Sequence, residues 1–246
     1  MNFVIGDIHG EINKLKQLID QISKIDSNYR LIFVGDYLDK GDNPKEVLDF
    51  LIDLNKQHSC VFLLGNHEYF WMKEELEVEE YLLKYGGKQT IKSFKSDSVS
   101  DTKKILTNEY NVFFENLVPY YICKNYFICH SGIKMSNFNK SASEMQEIDF
   151  LFNRFDFIAS QQLFQDKYVV IFGHTGFYSP YVDEYKIGID TGACYLEKQP
   201  LTAFCIEKNI FLNSDGNDVY LTAIANNSNP NIIRTKPWRE ITEKKN

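Results

Sequence analysis

The sequence predicts an α/β fold of two packed, mixed β-sheets flanked by helices. Three observations predict it. Short apolar runs recur along the chain, each ending in glycine or a polar side chain. The first three alternate with amphipathic helical segments, a βαβαβ order that implies parallel pairing. From Val118 onward strands dominate and read as hairpins, so an antiparallel half follows a parallel one and the two pack as layers.

Phe3-Val4-Ile5 reads as the first strand and leads into Gly6-Asp7-Ile8-His9-Gly10. Residues 11–24 read as a helix, with Ile12, Leu15, Leu18, Ile19 and Ile22 at helical spacing. Residues 31–34 form a second buried strand, ended by Gly35 and followed closely by Asp36, Asp39 and Lys40. Pro44, at a first-turn position after Asn43, opens a second helix whose inner stripe is Val47, Leu48, Leu51, Ile52 and Leu54. A third strand over 60–64 runs into Gly65-Asn66-His67-Glu68.

Residues 69–85 and 102–117 read as helices, 89–94 as a short helix and 96–100 as a loop. We read 69–117 as a helical insertion, either a wall of the active-site cleft or an ordinary packing layer. Further strands are expected at 118–123, 126–130, 168–172, 186–190, 201–206 and 209–212, with a helix over 144–164. The expected organisation is a single domain over 1–225 and a polar tail over 226–246, with Trp238 available to dock it.

Composition narrows the function. A chain of 246 residues can bury a large core, and no Pro/Gly/Ser-rich linker divides it. The net charge of −7 argues against a nucleic-acid surface. No apolar run reaches the ~18 residues that span a membrane, and the first strand begins at residue 3, leaving no room for a signal peptide. A cytoplasmic protein is the expectation. Cysteines 60, 123, 129, 194 and 205 are odd in number and show no C-x-x-C spacing, so they read as buried, reduced and structural.

The strand ends carry the chemistry. In open α/β sheets ligands sit at the carboxyl ends of strands. These ends collect Asp7, His9, Asp36, Asp39, Asn66, His67, His130 and His174; of the five histidines only His58 lies elsewhere. Carboxylate, imidazole and amide donors without thiolate suit manganese, iron or zinc. They are too many for one ion and suit two, ~3.5–4 Å apart and sharing a carboxylate, an arrangement that clamps phosphate and activates water.

GDIHG (6–10), GDYLDKG (35–41), GNHE (65–68), HSG (130–132) and GHT (173–175) resemble, in order and spacing, the motifs of the phosphoprotein phosphatase branch of calcineurin-like metallophosphoesterases. YGGKQT (85–90), LFNR (151–154) and IGIDTGA (187–193) extend the likeness towards its bacterial and phage members. The resemblance implies a β-sandwich flanked by helices. It also implies that Asp7 and His9 bind one metal ion, that Asp36 bridges, and that Asn66, His130 and His174 bind the second. His67, oriented by Asp39, would be the general acid. Lys40 and Arg154 would bind the substrate phosphate, with Asn66 beside them. Lys40 stands where the family usually has arginine, which replaces a bidentate clamp with a point charge. Leu64 stands where many members have another arginine.

The resemblance implies phosphomonoester hydrolysis, foremost on phosphoserine or phosphothreonine proteins, with phosphotyrosine proteins also open, and two divalent ions, manganese first. The alternative is hydrolysis of dinucleoside tetraphosphates or other nucleotides or polyphosphate. Asp39 and the short interval between His130 and Gly173 weigh against the symmetrical dinucleoside tetraphosphatases. Gly176, where a second histidine would stand, weighs against the cyclic-nucleotide and nucleic-acid phosphodiesterases.

Overall fold

The computed structural model describes residues 1–74, 76–195, 197–216 and 219–220. The expected tail over 226–246, Trp238 included, lies outside the described residues.

The first half follows the βαβαβ reading: β1 (Asn2–Ile5), α1 (Ile12–Ile25), β2 (Arg30–Phe33), α2 (Pro44–Gln57) and β3 (Ser59–Phe62). These strands pair in parallel, with Val4 opposite Ile32 and Ile32 opposite Val61. Then come α3 (Asn66–Trp71), α4 (Leu76–Lys84), α5 (Gly87–Ser93), α6 (Val99–Glu109) and α7 (Asn111–Glu115). The remaining strands are β4 (Tyr120–Cys123), β5 (Tyr126–Cys129), β6 (Val169–Phe172), β7 (Tyr181–Val182), β8 (Lys186–Gly188), β9 (Thr202–Cys205), β10 (Ile210–Asn213) and β11 (Val219–Tyr220), with α8 (Phe155–Ala159) before β6.

Two mixed sheets result, ordered β11-β10-β9-β1-β2-β3 and β4-β5-β6-β8-β7. Side chains on a strand alternate between its faces. Val4, Ile32 and Val34 therefore point inward and meet Ile128, Ile171 and Ile187 of the other sheet, while Phe3, Ile5, Leu31 and Phe33 point outward against α1 and α2. With both faces covered, these strands read as continuous apolar runs. A third cluster, around Phe127, Phe150, Phe164 and Phe172, covers the outer face of the second sheet.

Several expectations need correction. The second half is not all hairpins: β6 pairs in parallel with both β5 and β8. The long crossover from β5 to β6 permits this, as parallel neighbours require. The expected helix over 144–164 is instead short 3₁₀ turns and α8. Capping boxes at Ser141/Glu144 and Gln146/Asp149 start the turns. Asn153 Nδ2 then donates to the carbonyls of Gly132 and Asp149, offering the backbone a partner other than a helix. The 69–85 helix is two, parting after Trp71, and the 102–117 helix is two, parting at Tyr110. The Tyr110 hydroxyl is held by Asp49 at 2.6 Å. Strands β7 and β11 had no sequence signal.

All five cysteines are free, but only Cys129 and Cys205 are buried. His58 packs structurally, stacked on Tyr29 with ring centroids 4.3 Å apart. Among the described residues no helix is long and apolar enough to cross a membrane.

Candidate active site

The loops leaving β1, β2, β3, β5 and β6 converge where the two sheets meet. Main-chain bonds knit them: His9 N donates to the Asp36 carbonyl at 2.8 Å, and Gly173 N to the His130 carbonyl at 2.7 Å. These loops turn sharply. His9, Asp36, Asp39, Lys40 and His174 all have φ between 45° and 68°. Non-glycine residues rarely take the left-handed region, and each such conformation costs about 1–3 kcal/mol. Five among the sequence-predicted site residues mark a backbone held for function.

Two glycines make room. A Cβ at Gly65 would collide with the Asp36 main-chain nitrogen and carboxylate, and one at Gly173 would collide with the Asp7 carboxylate.

Asp36 sits centrally. Its Oδ2 is 3.2 Å from His9 Nε2, and its Oδ1 is 3.4 Å from His130 Nε2. Two groups of side chains able to hold a metal ion share it: His9, Asp36 and His67; and Asp36, His130 and His174. Asn66 Oδ1 joins the second group, 2.8 Å from both His130 Nε2 and His174 Nδ1. Asn66 Nδ2 donates to the Tyr81 hydroxyl at 3.3 Å. Asp7 stands outside both groups; its carboxylate accepts the His174 N–H, at 2.9 Å to Oδ2.

The donor set fits divalent ions. His130 Nδ1 is 2.9 Å from the Val34 carbonyl, and His9 Nδ1 is 2.8 Å from the Leu38 carbonyl. Each Nδ1 must carry the proton, so each Nε2 presents a lone pair. His130 Nε2 thus confronts the Asp36 carboxylate with no proton between them, a repulsive arrangement unless a cation lies there. Burial favours neutral imidazoles: it lowers His9 to about 4, with the Lys40 charge assisting, lowers His130, and takes His174 well below its usual value. Burial also pushes the Asp7 carboxyl well up, with Asp190 and Asp36 adding repulsion. Nearby cations invert that logic.

The structure brings His67 and Asp39 together. His67 Nδ1 is 2.6 Å from Asp39 Oδ2. Lys40 Nζ lies 2.7 Å from His9 Nε2 and donates to the Tyr195 hydroxyl at 2.9 Å. Arg154 donates to the His174 carbonyl at 3.1 Å. Lys40, Asn66, His67, Arg154 and His174 line one cleft of about 180 Å³, walled by Tyr81, Tyr85, Phe152 and Tyr195. Residues 69–117 thus supply two aromatic side chains to the cleft wall while also packing into the core.

Sequence reasoning missed the support. Glu68 is fully buried and accepts the main-chain N–H groups of Asp36, Tyr37 and Leu38 at 2.8–3.1 Å, shaping the loop that carries Asp36. Burial and the Asp36 charge raise its carboxyl to about 8. Its place directly after Asn66-His67 was the available signal. Trp71 and Thr90 hold Asp39; Thr90 was visible only within the YGGKQT segment, and nothing in the local sequence points to Trp71. Asp190, buried beside Asp7, was visible only within the IGIDTGA segment.

Two mixed sheets with such a cluster at their converging strand ends define a metallophosphoesterase, a hydrolase of phosphate esters or anhydrides. Residues 3–223 match the calcineurin-like phosphoesterase family, and the chain belongs to it. It is 23% identical over 235 residues to the asymmetrical bis(5'-nucleosyl)-tetraphosphatase PrpE of Oceanobacillus iheyensis, covering 85% of this chain and 90% of that one. Its fold is similar to the cold-active protein-tyrosine phosphatase of a psychrophilic Shewanella, with TM-score 0.67 at 14% identity, covering 89% of this chain and 79% of that one. It is also similar to a Saccharomyces cerevisiae protein serine/threonine phosphatase, with TM-score 0.54 at 15% identity and coverage of 86% and 72%.

Proposed function

We propose that this chain hydrolyses dinucleoside polyphosphates. The observation that carries the reading is the cleft wall: Tyr81, Tyr85, Phe152 and Tyr195 surround the site where Lys40 and Arg154 converge on the candidate metal ligands. Aromatic faces beside a cationic phosphate site suit a nucleobase joined to a phosphate chain, since base stacking on such rings is worth ~1–3 kcal/mol. The likeness to the asymmetrical tetraphosphatase, which runs through most of both chains, supports it.

Asp7, His9 and Asp36 would hold one divalent ion, and Asp36, Asn66, His130 and His174 the other, with manganese, iron or zinc suited to these donors. Two such ions would supply charge to the phosphoryl group and an activated water. Lys40 and Arg154 orient the phosphoryl oxygens and stabilise charge as it spreads over them. His67, held by Asp39, gives a proton to the departing oxygen as its bond to phosphorus breaks and the bond from water forms. The test is turnover of diadenosine tetraphosphate beside a phosphoserine peptide, with manganese. We expect the higher kcat/KM on the dinucleotide and AMP plus ATP as products; preference for the peptide overturns the reading.

One observation favours a second reading, protein phosphatase activity. A positioned proton donor such as His67 matters most for a strongly basic leaving oxygen, such as the alkoxide of phosphoserine, and least for a nucleotide.

A further inference from the structure

Exposed apolar side chains cluster in one place. Nine large apolar residues are exposed among the described residues, and four of them, Met135, Ile148, Phe152 and Phe155, line a single cavity of about 600 Å³. The cavity lies between the turns after β5 and the start of α8. Scattered exposed apolar residues need no explanation, whereas a contiguous patch marks a binding surface.

The cavity adjoins the cleft. Phe152 and Arg154 line both. The Phe152 ring is 5.5 Å from the Phe70 ring and 6.5 Å from the His174 imidazole, measured between centroids. A substrate whose phosphate is held by Arg154 would have this cavity within reach past Phe152.

Its chemistry selects the occupant. Asp149 and Asp156 line it against Lys134 and the shared Arg154, so once Arg154 is engaged on a phosphate in the cleft no excess of positive charge is left to hold further phosphates. Carboxylates beside apolar and aromatic faces suit a neutral heterocycle that bears amino donors. On the reading above, the substrate carries such a group at each end. We infer that this cavity seats the second nucleoside of a dinucleoside polyphosphate, so that Met135, Ile148 and Phe155 set the preference for two-ended substrates over mononucleotides. The inference rests on the dinucleoside polyphosphate reading.

The test compares the whole chain with Ile148→Ser and Phe155→Ser, on diadenosine tetraphosphate and on nitrophenyl phosphate. Ile148 and Phe155 are 42% and 49% exposed, so neither substitution opens the core. Each should raise KM for the dinucleotide about tenfold with kcat retained, and leave both parameters for nitrophenyl phosphate unchanged. Phe155→Trp, which keeps an aromatic face, should restore the KM. Unchanged KM in variants of an enzyme that turns over the dinucleotide overturns this inference and leaves the functional reading standing. Equal losses on both substrates also overturn it, since they mark a structural role. A wild-type chain that cleaves nitrophenyl phosphate but not the dinucleotide overturns both.

Discussion

His67 Nδ1 lies 2.6 Å from Asp39 Oδ2, and the other oxygen of that carboxylate receives the Trp71 indole N–H at 2.9 Å and the Thr90 hydroxyl at 2.5 Å. Trp71 of α3 and Thr90 of α5 fix the carboxylate, which fixes the imidazole of His67, also on α3, and leaves Nε2 facing the cleft. His67→Asn should lose much of the ~100- to 10,000-fold that general acid catalysis supplies when the leaving oxygen is an alkoxide. It should lose far less on nitrophenyl phosphate, whose leaving group needs no proton, with metal content unchanged. Asp39→Asn should show the same pattern more weakly. The check is kcat on both substrates where chemistry limits the rate. Equal losses, or a missing metal ion, would make His67 a ligand; its Nε2 stands 3.9 Å from Asp36 Oδ2.

Asp36 faces His9 with one oxygen and His130 with the other. Asp36→Asn removes the only charge shared by the two groups, so both ions should weaken together. Metal analysis of the purified variant decides it: fewer than one tightly bound ion is expected, and two retained ions with near-normal turnover would end the bridging assignment.

The strand-end residues were legible because each follows an apolar run, in most cases through a glycine, and the chain supplies that grammar locally. The support was not. Glu68 binds three main-chain N–H groups some thirty positions back, and Thr90 reaches Asp39 from another helix, so no local pattern carries either. The first half of the fold was legible because α1 and α2 have one apolar stripe each and the strands between them are buried on both faces. The second half was misread where pairing depends on partners distant in sequence. Nothing local in Val169–Phe172 distinguishes a hairpin strand from one lying parallel between β5 and β8.

Glu207 gives a pH dependence away from the site. Its carboxylate accepts the main-chain N–H and the amide N–H of Asn2, each at 2.7 Å, and pairs with Lys124 at 3.0 Å. Burial pushes its carboxyl up, but these partners outweigh it and hold it at about 2, below the ordinary 4.5. Between those values the unfolded chain binds more protons than the folded one, so stability rises with pH. The contribution is complete above the unfolded value and disappears as pH falls through about 2. Glu207→Gln should lower the urea midpoint at pH 7, and the gap from wild type should narrow as pH falls below the ordinary value. A gap independent of pH would remove the ionised carboxylate as its cause.

Arg154 and Lys40 approach the cleft from different sheets, and their substitutions should separate phosphate binding from metal binding. Arg154 precedes α8 and could have been a surface cap; instead its guanidinium reaches the His174 carbonyl at 3.1 Å and lines the cleft. In the proposed role its charge would meet the phosphoryl oxygens, an interaction that strengthens as charge spreads in the transition state. Arg154→Ala should cut kcat/KM about 100-fold, equivalent to ~2.7 kcal/mol, without loss of metal. Lys40→Arg should keep most activity, because a fork replaces a point charge at the same place, provided the Tyr195 hydroxyl still accepts from it. Lys40→Ala should lose activity on every phosphate substrate alike, since it removes a contact to the phosphoryl group common to all of them. The measurements are kcat/KM on nitrophenyl phosphate and diadenosine tetraphosphate, with metal content determined on the same samples. Full activity of Arg154→Ala on both substrates would remove Arg154 from the site, and metal loss in either alanine variant would assign that side chain to the metal centre rather than to the phosphate.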